Sequence, residues 1–257
     1  MRQLGVGWAT DLEVLELSGS TIENRGDHLV VRSPRNPTHH WGNCILVTDP
    51  GAVDDAQRWL RAFRSAFPSA AWIAVGLERM PDDVAAWAAH DVELELDEVL
   101  ATATQPRQSA PPEGYVVRRL AGDDWEQAVA LAVAADDRAA RSEPGYETFA
   151  RRRAAAQRDL SDRDVAAFYG AFADGELVAN LGVVRCGSLA RYQNVLTDAR
   201  HRRRGLASHL LGAAARWAAE RGCDRWVIVT EADNPAGRIY REVGFALDGT
   251  NVQAYRR

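Results

Sequence analysis

The sequence contains no lysine; all 31 of its basic residues are arginine. Together with the abundance of alanine this reads as the codon usage of a GC-rich bacterial genome. Cysteine is scarce: Cys44, Cys186 and Cys223 form no CxxC pair and leave an odd count. That excludes a disulfide framework and fits a reduced cytoplasm, each thiol acting as a small core hydrophobe. The six histidines include the pair His39–His40 but no HExxH or other metal-ligand spacing, so no metal is expected. No apolar run reaches the roughly 18–20 residues of a membrane helix. The opening residues, MRQLGVGWATDLEVLELSGS, lack the apolar centre of a signal peptide. Neither glycine nor proline is enriched and no tract repeats, which excludes fibrous and low-complexity classes.

The remaining composition is that of a globular protein: 257 residues, 46% hydrophobic and 26% charged. This length suits one large or two small domains. The net charge of −5 argues against nucleic acid as a partner. The charge is unevenly spread. Residues 1–110 hold 9 arginines against 16 acids, and residues 111–257 hold 22 against 20. A polyanionic small molecule would therefore bind the second part. Residues 101–114, ATATQPRQSAPPEG, lack periodicity and read as a connector. The expected division is a domain at 1–105, a linker at 106–114 and a domain at 115–257.

In the second part the pattern predicts a strand at 115–120, a helix from Asp123 or Asp124 to about 135, and a polar loop at 138–146. A helix to about 160 follows, then a hairpin of strands 165–173 and 176–186 around Ala-Asp-Gly. A strand at 189–197 leads to a helix at about 205–220, where Leu206, Leu210, Leu211, Ala214 and Trp217 recur near the helical period. The run WVIVT at 226–230 reads as a buried strand. A short helix at 234–243 ends at Gly244, and strands at 245–247 and 252–255 flank Asp248-Gly249. The first part predicts strands at 13–17, 28–32 and 43–48, a helix at 54–67 and a strand at 72–75, then a helix at 82–89 and a strand at 92–98. The order strand, helix, strand, short helix, strand occurs in both parts, which suggests a diverged structural repeat.

The chemistry is concentrated in residues 194–211, NVLTDARHRRRGLASHLL. A strand runs into a basic turn and then, through Arg202-x-x-Gly205-x-Ala207, into a helix. Backbone N–H groups in the first turn of a helix have no partner inside it, and the helix dipole adds partial positive charge there. Small residues let phosphate oxygens approach the backbone, and Arg202, Arg203 and Arg204 add charge. The other reading is a helix start with a solvated basic face. Further on comes 230–245, TEADNPAGRIYREVGF. With these two segments, residues 115–257 resemble the GNAT superfamily of acyl-CoA-dependent N-acyltransferases. Its (Arg/Gln)-x-x-Gly-x-(Gly/Ala) pyrophosphate loop is matched by Arg202 to Ala207. Its later Asn, Asn-to-Tyr helix and closing Gly-Phe are matched by Asn234, Tyr240, Gly244 and Phe245. Gly237 departs from the usual Ala or Ser and loosens the helix slightly.

The resemblance implies a mixed α/β fold, its mostly antiparallel sheet flanked by helices, in a GNAT-like acyltransferase arrangement that the repeated order makes tandem. It implies acetyl-CoA as co-substrate and N-acetyl transfer to a primary amine, on a small-molecule or peptide acceptor. Cofactor binding would fall to Val195, Leu196 and Thr197 on the strand, to Arg202, Arg203 and Arg204, to Gly205, Leu206, Ala207 and Ser208, and to Asn234 on the pantetheine arm. Asn234 also reads as a helix N-cap before Pro235. Tyr240 stands where the family has its general acid; its other reading is a core tyrosine. Many relatives carry a strand glutamate as general base, and none lies in 192–197. Glu231 and Glu143 are the remaining candidates, beside a water relay or an amine already neutral. A non-catalytic acyl-CoA-binding or regulatory module, or a larger acyl donor, are the alternatives. The first part lacks the loop: after its strand come acids, Asp49-Pro-Gly-Ala-Val-Asp-Asp. It reads as a degenerate GNAT-like domain whose residues 39–43 either line the acceptor pocket or form an ordinary strand entry. A cytoplasmic monomer or homodimer without membrane contact completes the expectation.

Overall fold

The computed structural model describes residues 4–110, 112–135 and 145–257. The chain forms two compact units. The first comprises Met1–Val99 with Val229–Asn234 and Leu247–Arg257, and the second Leu100–Ile228 with Pro235–Ala246. The C-terminal strand thus packs with N-terminal residues, which a linear partition at residues 106–114 does not describe.

The first unit begins with helix α1 (Val6–Leu17), then β1 (Thr21–Asn24), β2 (His28–Arg32) and β3 (Cys44–Val47). Helix α2 (Ala56–Ala66), β4 (Ile73–Leu77), α3 (Val84–Ala88) and β5 (Glu93–Thr102) follow. The expected strand at 13–17 is instead the end of α1. Apolar side chains lie all around this helix, so no helical stripe marks it in the sequence. Packing decides it: a Cβ on Gly7 would come within 2.6 Å of Val99 and Asn251, so only glycine lets the helix backbone lie this close. Helix α2 does carry a stripe, and buries Trp59, Leu60 and Phe63 against a core that includes Ile45, Val75 and Leu77. β3 and β4 pair in parallel with α2 as their crossover, while β1–β2 and β2–β3 are antiparallel.

The second unit holds β6 (Val116–Arg119), α4 (Asp124–Ala135), α5 (Tyr146–Asp162), β7 (Ala166–Ala173) and β8 (Glu176–Cys186). It continues with β9 (Leu189–Thr197), α6 (Leu206–Ala219), most of β10 (Arg225–Glu231) and α7 (Ala236–Glu242). Its strands run in the order β10-β9-β8-β7-β6, with β6–β7, β7–β8 and β8–β9 antiparallel and β9–β10 parallel. The core gathers α6, whose Leu206, Leu210, Leu211 and Ala214 are buried, against Val178, Val183 and Tyr192 of the strands. The Tyr192 hydroxyl donates to the Leu211 carbonyl at 2.8 Å and fixes helix on strand.

The final strand, β11 (Ala246–Arg256), is continuous where two short strands were expected. Gly249 is not in the left-handed region that a Asp-Gly hairpin turn requires. The strand runs straight on, and Val252–Arg256 pair antiparallel with Ile73–Leu77 of β4. The segment read as a linker is held along the second unit. Arg107 donates its backbone N–H to Val243 at 3.3 Å and its guanidinium to Glu242 at 2.8 Å; the Ser109 carbonyl lies 2.9 Å from His209 Nδ1. All three cysteines are buried, and none forms a disulfide among the described residues. Among the described residues no helix is long and apolar enough to cross a membrane, and no three metal-ligating side chains converge.

Candidate functional site

β9 carries two departures from regular pairing, and both lie beside the motif residues. It pairs with β10 only at Leu189, Ala190 and Arg191 among the described residues, although it runs on to Thr197. It also bulges against β8. Gln193 faces Gly182 and Leu196 faces Asn180, so Asn194 and Val195 share Leu181, and Asn194 takes a positive φ of 50°. A bulge bends a strand and re-aims its side chains. Leu196 and Thr197 therefore sit past the bulge and Val195 within it, on a stretch with one edge unpaired among the described residues.

The turn that follows is tightly built. Asp198 accepts from the Arg200 N–H at 2.8 Å and caps a 3-10 turn at Ala199–His201. The Arg200 side chain, 2.7 Å from it, is the first cause of the Asp198 carboxyl being pulled down to about 2. His201 is held from the other side by the Tyr115 hydroxyl, 2.9 Å from its Nδ1. Arg202 donates to the Thr197 carbonyl at 3.2 Å and Arg204 to the Arg200 carbonyl at 3.4 Å. Among the described residues Arg202, Arg203 and Arg204 enter no ion pair, and all three are exposed. Three arginines without an ion pair among the described residues thus precede the start of α6.

Gly205 is the N-cap of α6, with φ 77°, and no side chain caps the helix. The N–H groups of Leu206, Ala207 and Ser208 consequently meet neither a carboxylate nor a hydroxyl from the chain. A Cβ built on Gly205 would find nothing within 4 Å, so the approach to those groups is open. Leu206 contributes only its backbone, because its side chain is buried in the core. An open, uncapped, arginine-flanked helix start is an anion-binding arrangement.

Tyr240 lies on α7 with only 5% of its surface exposed. Burial pushes its phenol up to about 12, opposed in part by the Arg191 guanidinium. It therefore keeps its proton throughout the neutral range. Asn234 belongs to the first unit, and the N-cap position of α7 is Pro235. The Asn234 backbone N–H donates to the Glu231 carbonyl at 3.0 Å and closes the turn after β10. Glu231 is exposed and hydrogen-bonds Glu95. Burial first, then the Glu231 and Asp97 carboxylates, raise the Glu95 carboxyl. Glu143 lies outside the described residues, as does most of the loop expected at 138–146.

Residues 39–43 are engaged within the first unit. The Asn43 side chain bonds to Ser33, Asn36 and His39, and His40 stacks on Trp72 at 4.4 Å with its Nδ1 2.6 Å from the Tyr255 hydroxyl.

Sequence reading missed a small pocket in the second unit, with a volume of about 30 Å³ and open to solvent. Its apolar wall is Ala128, Val129 and Ala132 of α4, Ala150 and Ala154 of α5, and Leu196. Its polar groups are Arg153, Gln157, Asn180 and Asn194. The Asn180 amide oxygen is buried with no hydrogen-bond partner among the described residues. The only trace of this residue in the sequence is a single amide inside an otherwise apolar strand, LVANLGVV.

A model of the acetyltransferase (GNAT) family matches residues 125–245. Streptothricin acetyltransferase from Escherichia coli is 34% identical over 100 residues, which cover 38% of this chain and 57% of that protein. The match thus spans little more than half of the relative's length. In fold, a GCN5-related N-acetyltransferase from Kribbella flavida superposes with a TM-score of 0.64 at 20% identity, over 98% of this chain and 96% of its own. A tandem GNAT protein from the clavulanic acid biosynthesis pathway does so with a TM-score of 0.58 at 15% identity, over 95% and 87%.

Proposed function

Through residues 125–245 the chain belongs to the GNAT family, and from that premise we propose that it is an acetyl-CoA-dependent N-acetyltransferase acting on a primary amine. The observation that carries the reading is the uncapped, arginine-flanked start of α6 at Gly205. Acetyl-CoA fits that start: its pyrophosphate needs donors and positive charge without a competing side chain, and finds both there. In this reading the N–H groups of Leu206, Ala207 and Ser208 hold the pyrophosphate, aided by Arg202, Arg203 and Arg204. The unpaired edge of β9 at Val195, Leu196 and Thr197 aligns the pantetheine arm.

When bound, acetyl-CoA supplies an acetyl group activated as a thioester. The acceptor nitrogen forms the new N–C bond as the C–S bond breaks; the Tyr240 phenol gives its proton to the leaving sulfur, and the proton lost by nitrogen passes to water. The pocket beside Leu196 takes the acceptor, because it opens next to the bulge of β9. The first unit, with its repeated element order, completes a tandem arrangement.

Tyr240→Phe tests the reading. The ring and its packing stay, so folding and CoA affinity should survive. General acid–base catalysis contributes about 10²–10⁴-fold, and a phenol this weakly acidic acts at the low end. In an assay of thiol release from acetyl-CoA with a panel of amines, kcat should fall about 100-fold. Full kcat where chemistry limits the rate would make Tyr240 a packing residue, and water the proton source. A wild type that binds CoA yet releases no thiol with any amine would favour a non-catalytic binding module.

A further inference from the structure

We infer that Arg107, Gln108 and Ser109 form a clip across α6 that positions α7, and with it Tyr240, to deliver its proton. This deepens the acetyl-transfer reading and rests on it.

α7 is seven residues long, about two turns, too short to be stable on its own. The last carbonyls of a helix have no partner inside it. Here the Ile239 carbonyl receives the Val243 N–H at 3.2 Å. The Tyr240 carbonyl receives the Phe245 N–H, and the Arg241 carbonyl the Gly244 N–H, each at 3.1 Å. Those of Glu242 and Val243 remain, and Arg107 takes both. Its backbone N–H donates to Val243 at 3.3 Å and its guanidinium to Glu242 at 2.8 Å. A guanidinium at a helix C-terminus also answers the dipole.

The connector then crosses α6 at Gly212. A Cβ there would run into the Gln108 backbone, 2.8 Å from its N and closer still to its Cα, so only glycine admits the crossing. His209 and Arg216 share that face of the helix, one turn to either side, and grip the connector. Arg216 donates to Gln108 Oε1 at 2.5 Å. A guanidinium only donates, so the Gln108 amide nitrogen faces His209 Nε2, 3.3 Å away. The buried imidazole then carries its proton on Nδ1 and donates it to the Ser109 carbonyl at 2.9 Å. One tautomer satisfies every bond of the clip.

This fastening lies one turn from the open helix start, since the His209 N–H donates to the Gly205 carbonyl at 3.1 Å. The clip therefore ties the helix that begins at the pyrophosphate seat to the end of the helix that carries Tyr240. The seat on α6 places the sulfur of acetyl-CoA, at the far end of the pantetheine arm. Its proton donor must keep a set position relative to α6, because a misplacement of about 1 Å can cost about 10²-fold in rate.

The test is a double-mutant cycle on the full chain with acetyl-CoA and n-butylamine, 2-phenylethylamine or spermidine. Gly212→Ala puts a methyl group where Gln108 crosses and lifts the connector, while alanine favours the helix itself. Steady-state kcat should fall about tenfold, part of the cost of such a misplacement. CoA affinity and the amine KM should not change, since the helix start and β9 are untouched. Trypsin should cut after Arg107, as read by mass spectrometry, at least about tenfold faster than in the wild type, because the segment opens more often. In a Tyr240→Phe background Gly212→Ala should lower kcat no more than about twofold further, because the clip acts through that phenol. Gln108 is exposed, so Gln108→Ala keeps the fold and decides the matter if Gly212→Ala does not. It should show the same pattern at about threefold, the worth of its side-chain hydrogen bonds. Equal losses of kcat in both backgrounds, or equal cleavage after Arg107 in variant and wild type, overturn the inference while acetyl transfer stands. Failure of the wild type to turn over any of the three amines removes the acetyl-transfer reading, and the role of Tyr240 with it. The cleavage rates still decide in that case whether the clip exists.

Discussion

β3 and β9 are each followed by an aspartate that caps a 3-10 turn. Asp49 accepts from the Gly51 N–H at 2.9 Å, and Asp198 from the Arg200 N–H at 2.8 Å. A helix follows each turn and leads to a strand parallel to the first. At the helix start the two diverge. In α2 the N-cap is Asp55, whose carboxylate accepts from the Arg58 N–H at 3.0 Å. In α6 the N-cap is Gly205, which offers no side chain, and three arginines precede it. The first unit has its anion built in, and the second leaves the place open. The short helices differ in the same way. α3 buries Trp87, whose indole N–H is committed to the Val53 carbonyl at 3.2 Å, whereas α7 buries Tyr240, a phenol that keeps a proton to give. One backbone plan therefore becomes a binding site or a structural element according to a few capping residues.

The largest effect that tests this contrast is expected from Gly205→Glu. The new carboxylate would occupy the place Asp55 holds in the first unit, at a φ of 77° that side chains rarely adopt. Charge repulsion and lost approach together should weaken CoA binding at least about 100-fold, a cost of roughly 3 kcal/mol. Titration calorimetry reads this directly and also gives the wild-type stoichiometry, expected to be one CoA per chain. Two equivalent sites, or unchanged affinity in a folded Gly205→Glu protein, would erase the distinction between the helix starts.

The second unit was the more legible because its signals are local. The stripe from Leu206 to Trp217 and the Ala-Asp-Gly turn place α6 and the β7–β8 hairpin within a residue or two of their observed ends. The Arg-x-x-Gly-x-Ala spacing likewise marks the open helix start. What could not be read depends on distant partners. α1 is helical because Gly7 packs on Val99 and Asn251, far along the chain. β11 joins β4 across more than 170 residues, and no local pattern announces that pairing. The pocket is assembled from α4, α5, β8 and β9, which no local pattern brings together. The tie between Tyr115 and His201 is hidden for the same reason.

A smaller effect compares how the units respond to alkali. Burial pushes both Cys44 of β3 and Tyr240 of α7 up to about 12, with Asp11 adding to the rise at Cys44. Each is neutral when protonated, so a raised folded value means that the folded state holds its proton longer. The stability involved is complete below the unfolded values, near 8.5 for a thiol and 10 for a phenol, and is lost as pH rises toward 12. Cys44 should weaken the first unit from about pH 8.5. In the second, burial also raises the Cys223 thiol, and Tyr240 adds its loss from about pH 10, each fully shifted group contributing a slope of roughly 1.4 kcal/mol per pH unit. Thermal melts at about pH 8 and pH 10 should differ in the wild type. Cys44→Ala should be less stable overall but flatter between these values. An equally steep fall in that variant would place the alkaline sensitivity outside the β3 core.

The mildest substitution bears most closely on why the first unit lacks a site. Asp55→Ala removes the carboxylate that fills the start of α2 and leaves its backbone in place. An N-cap loss of this kind costs about 1 kcal/mol, so the melting temperature should fall by about 2–4 °C. If the cap were the only barrier, the variant would gain a second CoA site. It should not. Asp54 still accepts from the backbone of Asp82 at 2.6 Å and pairs with Arg79 at 2.8 Å, so negative charge remains beside the helix start. Nor does the Asp49–Asp55 stretch contain any arginine to answer the three that precede Gly205. Titration should still give one CoA per chain, with unchanged affinity at the open site. A second site in Asp55→Ala would mean that one carboxylate separates the two helix starts, and that the arginines set affinity rather than decide whether a site exists.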